Sequence, residues 1–303
     1  MIVVQNRNIF FALTGMLVLA AIASIAVFGL KLGTDFTGGT LVQVTYPEGR
    51  PLPQALTAEL NEAGFEGYSL REAETNDYIL RTGSISDAQR DDLAELFSID
   101  GQYGAVIAQL TEVGPVIGTE LRNKALVALA LVLTAILFFI AFAFRKVSKP
   151  ISSWIYGLIA LATLGFDVLI PVGFYAALDA FTGAAVDTLF VTAVLTVLGY
   201  SVHDTIVVFD RVRENLRINQ EKNKREDFAE TAGRALNQTF VRSMTTSATT
   251  AFALAALYVL GPASTTNFAL TLLVGVIVGT YSSIFLATPL LVAIEVYRGK
   301  KNR

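Results

Sequence analysis

Six long apolar runs constrain this chain more than any other feature. They lie near Ile9–Leu30, Leu121–Phe144, Ile151–Ala177, Ala185–Phe209, Phe240–Leu260 and Phe268–Val296. A bilayer core is about 30 Å thick and a helix rises about 1.5 Å per residue, so roughly 20 apolar residues cross it. Lipid offers no partner to backbone N–H and C=O groups, so runs of this length must close their own hydrogen bonds as helices. The expected fold is therefore a multi-pass α-helical membrane protein with six transmembrane helices. The first run contains the small residues Ala21-Ile22-Ala23, but its apolar core of about 22 residues exceeds the roughly 7–15 of a secretory signal, so it reads as an anchor.

Basic residues set the expected orientation. Arg145, Lys146 and Lys149 follow the second run, and Arg211, Arg213, Arg217, Lys222, Lys224, Arg225 and Arg234 follow the fourth. Arg298, Lys300, Lys301 and Arg303 follow the sixth, while 178–183 and 261–267 contain no basic residue. The positive-inside rule then places both termini in the cytoplasm and residues 31–120 on the outer side. The expected organisation is an N-terminus with its first helix (1–30), an exported domain (31–120), and a five-helix membrane domain (121–303) with a cytoplasmic loop at 211–239. Phe228, Ala232, Ala235, Leu236 and Phe240 recur at helical spacing, so that loop is expected to end in an amphipathic helix leading into the fifth span.

The exported segment carries fifteen acidic and five basic residues, which argues against nucleic-acid binding. Its pattern predicts a strand over Thr40–Tyr46, a helix over Pro51–Ala63, and a strand pair over Tyr68–Glu74 and Tyr78–Arg81 turned at Thr75-Asn76-Asp77. A second helix follows over Ser86–Phe97 with Ser86 as N-cap, then a strand over Gln102–Val113. The order βαββαβ is that of a small α+β ferredoxin-like domain. Gly33–Thr40 and Val113–Gly118 bracket it. Asp35, Phe36, Gly38, Gly39, Gly114 and Pro115 are read there as hinge turns, because glycine permits positive φ and proline ends a strand.

Absence of cysteine excludes disulfides and cysteine-ligated metals, and a lone histidine, His203, excludes a histidine-rich metal site. The exported segment contains no phosphate loop, nucleophile–base pair or metal cluster, and the chain is expected to be no enzyme and to use no cofactor or metal. Ser201, His203 and Asp204 are triad residue types, but at about 100° per residue they cannot line up on one substrate. An aspartyl intramembrane protease would need a second catalytic carboxylate. Asp167 is the only other acid well inside a span, and Leu164-Gly165-Phe166-Asp167 lacks the Gly-x-Gly-Asp context.

Asp204 is the residue that points to chemistry. A charge at a membrane helix centre costs roughly 2.5–3.5 kcal/mol and commonly marks an ion or proton path. Arg242, Thr245, Thr246 and Thr249 follow on the next span at i, i+3, i+4 and i+7, one polar face. Arg242 is expected to partner Asp204 across antiparallel helices at similar depth; the alternative is that it snorkels to the surface. Arginine keeps its proton, so Asp204 would be the titrating member of a proton relay. Ser201, Thr205, Thr245, Thr246 and Thr249 would line its polar path, and Gly165, Gly199, Gly275 and Gly279 would permit close helix packing.

Several of these segments together resemble the SecF family of protein-export subunits over essentially the whole chain. They are Asp35-Phe36-Thr37-Gly38-Gly39-Thr40, Val113-Gly114-Pro115, Gly199-Tyr200-Ser201 with Asp204-Thr205, and Phe209-Asp210-Arg211 with Arg213-Glu214-Asn215. Arg242 with Thr246-Ser247, and Gly279-Thr280-Tyr281-Ser282-Ser283, complete the set. The resemblance implies half of a twelve-helix body of the resistance–nodulation–division (RND) type, completed by SecD in the lipid bilayer of the bacterial inner membrane. It implies a place beside the SecYEG translocon, where the proton motive force drives late preprotein translocation, and it assigns proton conduction to Asp204 and Arg242. The competing readings are an RND-type exporter of lipids or small molecules, and a scaffold of the export channel that conducts nothing.

Overall fold

The computed structural model describes residues 2–73, 76–145, 151–182, 184–224 and 226–301. Thr75 of the expected turn, the basic residues Lys146, Lys149, Arg225 and Arg303, and Gly183 lie outside the described residues.

The helical elements are α1 (Ile2–Gln5), α2 (Arg7–Phe28), α3 (Thr34–Thr37), α4 (Pro53–Glu62), α5 (Asp87–Ser98), α6 (Pro115–Ala143), α7 (Ser153–Thr182), α8 (Thr188–Glu221), α9 (Phe228–Leu260), α10 (Ala263–Ser282) and α11 (Thr288–Lys301). A π-helical turn, Ser283–Ala287, joins the last two. Among the described residues, six helical stretches are long and apolar enough to cross a membrane: α2, α6, α7, α8, α9 and the α10–α11 run. The chain is a multi-pass helical membrane protein, as the apolar runs require.

Two of these helices outrun their apolar segments. Instead of ending near Phe209, α8 continues to Glu221. The amphipathic segment at 228–239 and the fifth span form one helix, leaving only 222–227 between α8 and α9. The cause is a second apolar core at that end of the bundle. Phe144, Tyr156, Phe209, Val212, Phe228, Ala232, Ala235 and Leu291 are buried together, with Tyr156 stacked on Phe144 at 5.3 Å and edge-on to Phe209 at 5.2 Å. Burying a large apolar side chain contributes about 1.5–3 kcal/mol, enough to hold the extra turns helical outside the apolar run.

The chain divides into two compact units, one of Met1–Gly29, Ala128–Ala177 and Phe190–Arg303, the other of Leu30–Val127 with Leu178–Leu189. The second contains a four-stranded antiparallel sheet of β1 (Gly39–Thr45), β2 (Ser69–Ala73), β3 (Asp77–Thr82) and β4 (Val106–Val113), in the spatial order β2-β3-β1-β4. Alternate residues Val42, Val44, Tyr78 and Leu80 point to one face, where Leu56 and Leu60 of α4 and Leu93 and Phe97 of α5 cover them. Ser86 closes α5 with a full capping box: its hydroxyl accepts from Gln89 N–H while Gln89 reaches back to Ser86 N–H. The strands and the two covering helices differ from expectation only at their ends, whereas the short helix α3 lies in a segment read as a turn.

The glycine-rich segment that opens this unit is packed. Gly38 has φ +79°, and a Cβ on it would lie 2.7 Å from Pro115 Cα; Gly39 has φ +129°, and its Cβ would lie 2.4 Å from the Thr82 carbonyl oxygen. Glycine is needed there for backbone conformation and for close approach together. Phe36 is buried, and Asp35 accepts hydrogen bonds from Thr188 N–H (3.0 Å) and Thr188 Oγ1 (2.6 Å), so it caps the first turn of α8. Lys31 and Gly33 exchange backbone hydrogen bonds with Val186, at 2.8 and 2.7 Å. Pro115 starts α6, the position where its missing N–H costs nothing.

Candidate functional site

Asp204 faces the interior of the membrane unit, 8% exposed, on the same stripe of α8 as Ser201, Thr205 and Val208. Its two oxygens each receive a hydroxyl. Ser243 Oγ of α9 donates to Oδ1 at 2.6 Å, and Ser283 Oγ of the π-helical turn donates to Oδ2 at 2.8 Å. Hydrogen bonds to a charged group contribute about 1.5–3 kcal/mol each. Two of them are of the size of the insertion penalty itself, so the carboxylate needs no cation to reside there.

The expected ion pair with Arg242 is not formed. Arg242 is exposed, and among the described residues Asp204 has no ion-pair partner. The depth inferred from sequence is right, since Ser243 is the neighbour of Arg242, but the face is wrong. One residue of offset is about 100° of rotation. The buried face of α9 is Thr239-Ser243-Ser247, at spacings of four, and Arg242, Thr245, Thr246 and Thr249 lie on the exposed side. Thr249 there donates to its own backbone, to the Thr245 carbonyl at 3.0 Å. His203 is exposed as well.

The residues of the polar path are thus divided. Ser201 is fully buried and donates to Asp167 Oδ2, a short contact between α8 and α7. Thr205 is buried beside Asp204 with its hydroxyl unpartnered. A second tier joins α8, α9 and α10: Tyr200 donates to Ser247 Oγ at 3.0 Å, and Thr280 to the same oxygen at 2.6 Å. Close approach of α8 and α10 makes these contacts possible. A Cβ on Gly275 would lie 2.1 Å from Val197 Cγ2, and one on Gly279 would lie 3.0 Å from Ser201 Cβ. Gly165 and Gly199 have no atom within 4 Å of that position, so they contribute no such packing.

From the sequence, then, Ser243 had no assigned role, Ser247, Ser282 and Ser283 stood only among the residues of the family resemblance, and Asp167 was not placed in the site. The legible signal was the Ser243/Ser247 pair, small residues four apart that let helices meet. The π-helical turn had no such signal. Turns of this kind insert one extra residue into a helix and recur at functional sites; here the turn begins at the serine that reaches Asp204.

Comparison with known proteins gives matches along the chain. Residues 95–296 match the family described as "Protein export membrane protein SecD/SecF, C-terminal", and residues 23–46 match the "SecD/SecF GG Motif". Protein translocase subunit SecF of Thermobaculum terrenum is 39% identical over 305 residues, covering 97% of this chain and 93% of that one. Its counterpart in Pseudomonas aeruginosa is 34% identical over 288 residues, covering 94% and 89%. The crystal structure of SecDF, a translocon-associated membrane protein of Thermus thermophilus, superposes with a TM-score of 0.83 at 32% identity. That match covers 99% of this chain and 38% of the longer one.

Proposed function

Because the chain belongs to the SecF family of protein translocase subunits, we propose that it assists preprotein export as the SecF half of a SecD–SecF pair, powered by the proton motive force through Asp204. The observation that carries the reading is a buried carboxylate held, among the described residues, by neutral hydroxyls inside a membrane bundle. Such a group can take up and release a proton without breaking a fixed ion pair. Protonation would remove an acceptor from Ser243 or Ser283 and loosen the contact of α8 with α9 and the π-helical turn, a change in helix packing tied to proton occupancy. Each proton crossing the full membrane supplies about 2.3 kcal/mol per 100 mV.

Arg242, Thr245, Thr246 and Thr249 support a partner. A cation and three hydroxyls on the exposed side of a membrane helix are costly against lipid and favourable against another polar helix face. We assign that face to SecD, which is fused to the SecF-like half in the Thermus thermophilus relative. The strand order β2-β3-β1-β4 supports the ferredoxin-like reading of the small unit, which is exported in this account and moves against preprotein emerging from the SecYEG channel. Both termini are then cytoplasmic and the membrane is the bacterial inner membrane. The chain acts as a transport subunit with protons as its coupling ion, not as an enzyme.

The test is preprotein translocation into inverted membrane vesicles carrying the chain with its partner. Asp204→Asn should co-purify with SecD at the wild-type level yet lose the stimulation of export by an imposed proton gradient. Full stimulation in that variant would leave the scaffold reading.

A further inference from the structure

Asp167 is a second carboxyl in the membrane unit, and its surroundings are the inverse of those of Asp204. It is fully buried near the middle of α7. One oxygen, Oδ2, accepts from Ser201. The other, Oδ1, is buried and receives no hydrogen bond from any described residue. Ser282 is a fully buried neighbour of this carboxyl whose O–H is directed to the Gly279 carbonyl at 3.0 Å, which leaves its lone pairs free to accept. Among the described residues no lysine, arginine or histidine acts on Asp167. From α8 it meets Ser201, with Asp204 one turn further on. From α10 it meets Ser282, and Tyr281, whose ring lies 6.0 Å from that of Phe166, turns its hydroxyl away to Thr14 and the Phe10 carbonyl.

An ionised carboxylate needs donors at both oxygens, and Asp204 has them. An orphaned, desolvated oxygen without a nearby cation fits only the neutral acid, whose O–H needs one acceptor. We infer that Asp167 is a resident proton-holding site, a neutral carboxylic acid that donates toward Ser282 and stands in series with Asp204. This role rests on the proton-relay reading of Asp204, whereas the resident proton does not.

The arrangement gives the two acids an order. Ser201, which touches Asp167, lies three residues before Asp204 on α8, a rise of about 4.5 Å. In the proposed orientation Asp167 is the outer acid and Asp204 the inner. The two are linked through consecutive residues of one helix, Ser282 at Asp167 and Ser283 at Asp204, where α10 passes into the π-helical turn. Pro171 adds a second irregularity, since it has no N–H to donate to the Asp167 carbonyl four residues earlier in α7. In a transfer the Asp167 O–H breaks, an O–H forms on Asp204, and the negative charge passes to Asp167 until a proton from the outer side restores it.

Infrared difference spectroscopy of the chain reconstituted with its partner tests the resident proton directly. The carbonyl stretch of a buried, protonated carboxylic acid should be present at neutral pH in the wild type and in Asp204→Asn, and absent in Asp167→Asn. Ser282→Ala should shift that band, and Asp167→Glu should restore one at a displaced position, so the test survives if the asparagine variant fails to fold. A wild type without such a band, or variants with spectra identical to it, would overturn the inference. For the role in transport, Asp167→Asn should assemble with the partner and slow gradient-driven export; unchanged export would leave a proton that does no work. An Asp167 band together with normal export in Asp204→Asn would sink the relay while the resident proton stands.

Discussion

The contact between Gly275 of α10 and Val197 of α8 is the place where one methyl group should decouple the polar layer from its scaffold. In Gly275→Ala the new Cβ would sit 2.1 Å from Val197 Cγ2, 2.9 Å from Cγ1 and 3.1 Å from Cβ. Apolar carbons prefer about 3.5–4.0 Å, so the helices must part by roughly 1.5 Å or Val197 must move. Val197 is 1% exposed and β-branched, with one strongly preferred rotamer in a helix, so it has nowhere to turn. Overpacking of this kind costs about 1–3 kcal/mol. One turn along, Ser201 is the residue packed on Gly279, so the separation also pulls Ser201 from its place beside Asp167. Val197→Ala alone removes two buried methyl groups, at about 1–2 kcal/mol. Combined with Gly275→Ala it should restore stability, because the inserted carbon then occupies vacated space, with a coupling of about 1–3 kcal/mol between contacting sites. The assay is the fraction of monodisperse complex remaining after graded heating in detergent, measured beside gradient-driven export. A Gly275→Ala variant within about 0.5 kcal/mol of wild type, or a double variant whose loss is the sum of the singles, would refute the close-approach reasoning.

Two further outcomes follow from the loops. Asp35→Ala should destabilise the small unit by about 0.5–2 kcal/mol, the usual loss of a helix cap, and Thr188→Ala in the same background should add little because both remove one contact; limited proteolysis across the glycine-rich segment reads this out. Glu226, between α8 and α9, is raised by burial but lowered more by hydrogen bonds from Asn219 and Thr231 and by the charges of Arg234 and Lys224, and so lies below its ordinary 4.5. Its stabilising contribution is then fully present above pH 4.5 and is lost as pH falls through the depressed folded value. The melting-temperature difference between wild type and Glu226→Gln should accordingly be largest near neutrality and vanish in acid; a difference that grows in acid would contradict the assignment.

Apolar length made the spans legible, and strand alternation with Ser86 at the start of a helix made the small sheet unit legible, because both signals are local. Rotation of a membrane helix about its own axis is set by its neighbours, which is why Asp204 was identified while its partner was placed one residue away. A serine that serves a carboxylate has the same composition as one that bonds to its own backbone, so Ser243 and Ser283 became visible only with their distances. The continuation of α8 and α9 beyond the apolar runs depended on a core to which α6, α7, α8, α9 and α11 all contribute. Likewise Asp35 was legible as part of a hinge turn but not as the cap of a helix more than 150 residues away. The segment it belongs to is held by Pro115 and Thr82 at Gly38 and Gly39, so the freedom to move expected of two hinge glycines is restricted there by contact.

The most direct measurement is proton flux through the chain and its partner in sealed vesicles, followed with a trapped pH-sensitive dye after a gradient is imposed in the presence of preprotein. The account predicts that Asp204→Asn abolishes the flux with the complex intact, and that Ser243→Ala with Ser283→Ala reduces it. Wild-type flux in Asp204→Asn would contradict the claim that this carboxyl carries the proton.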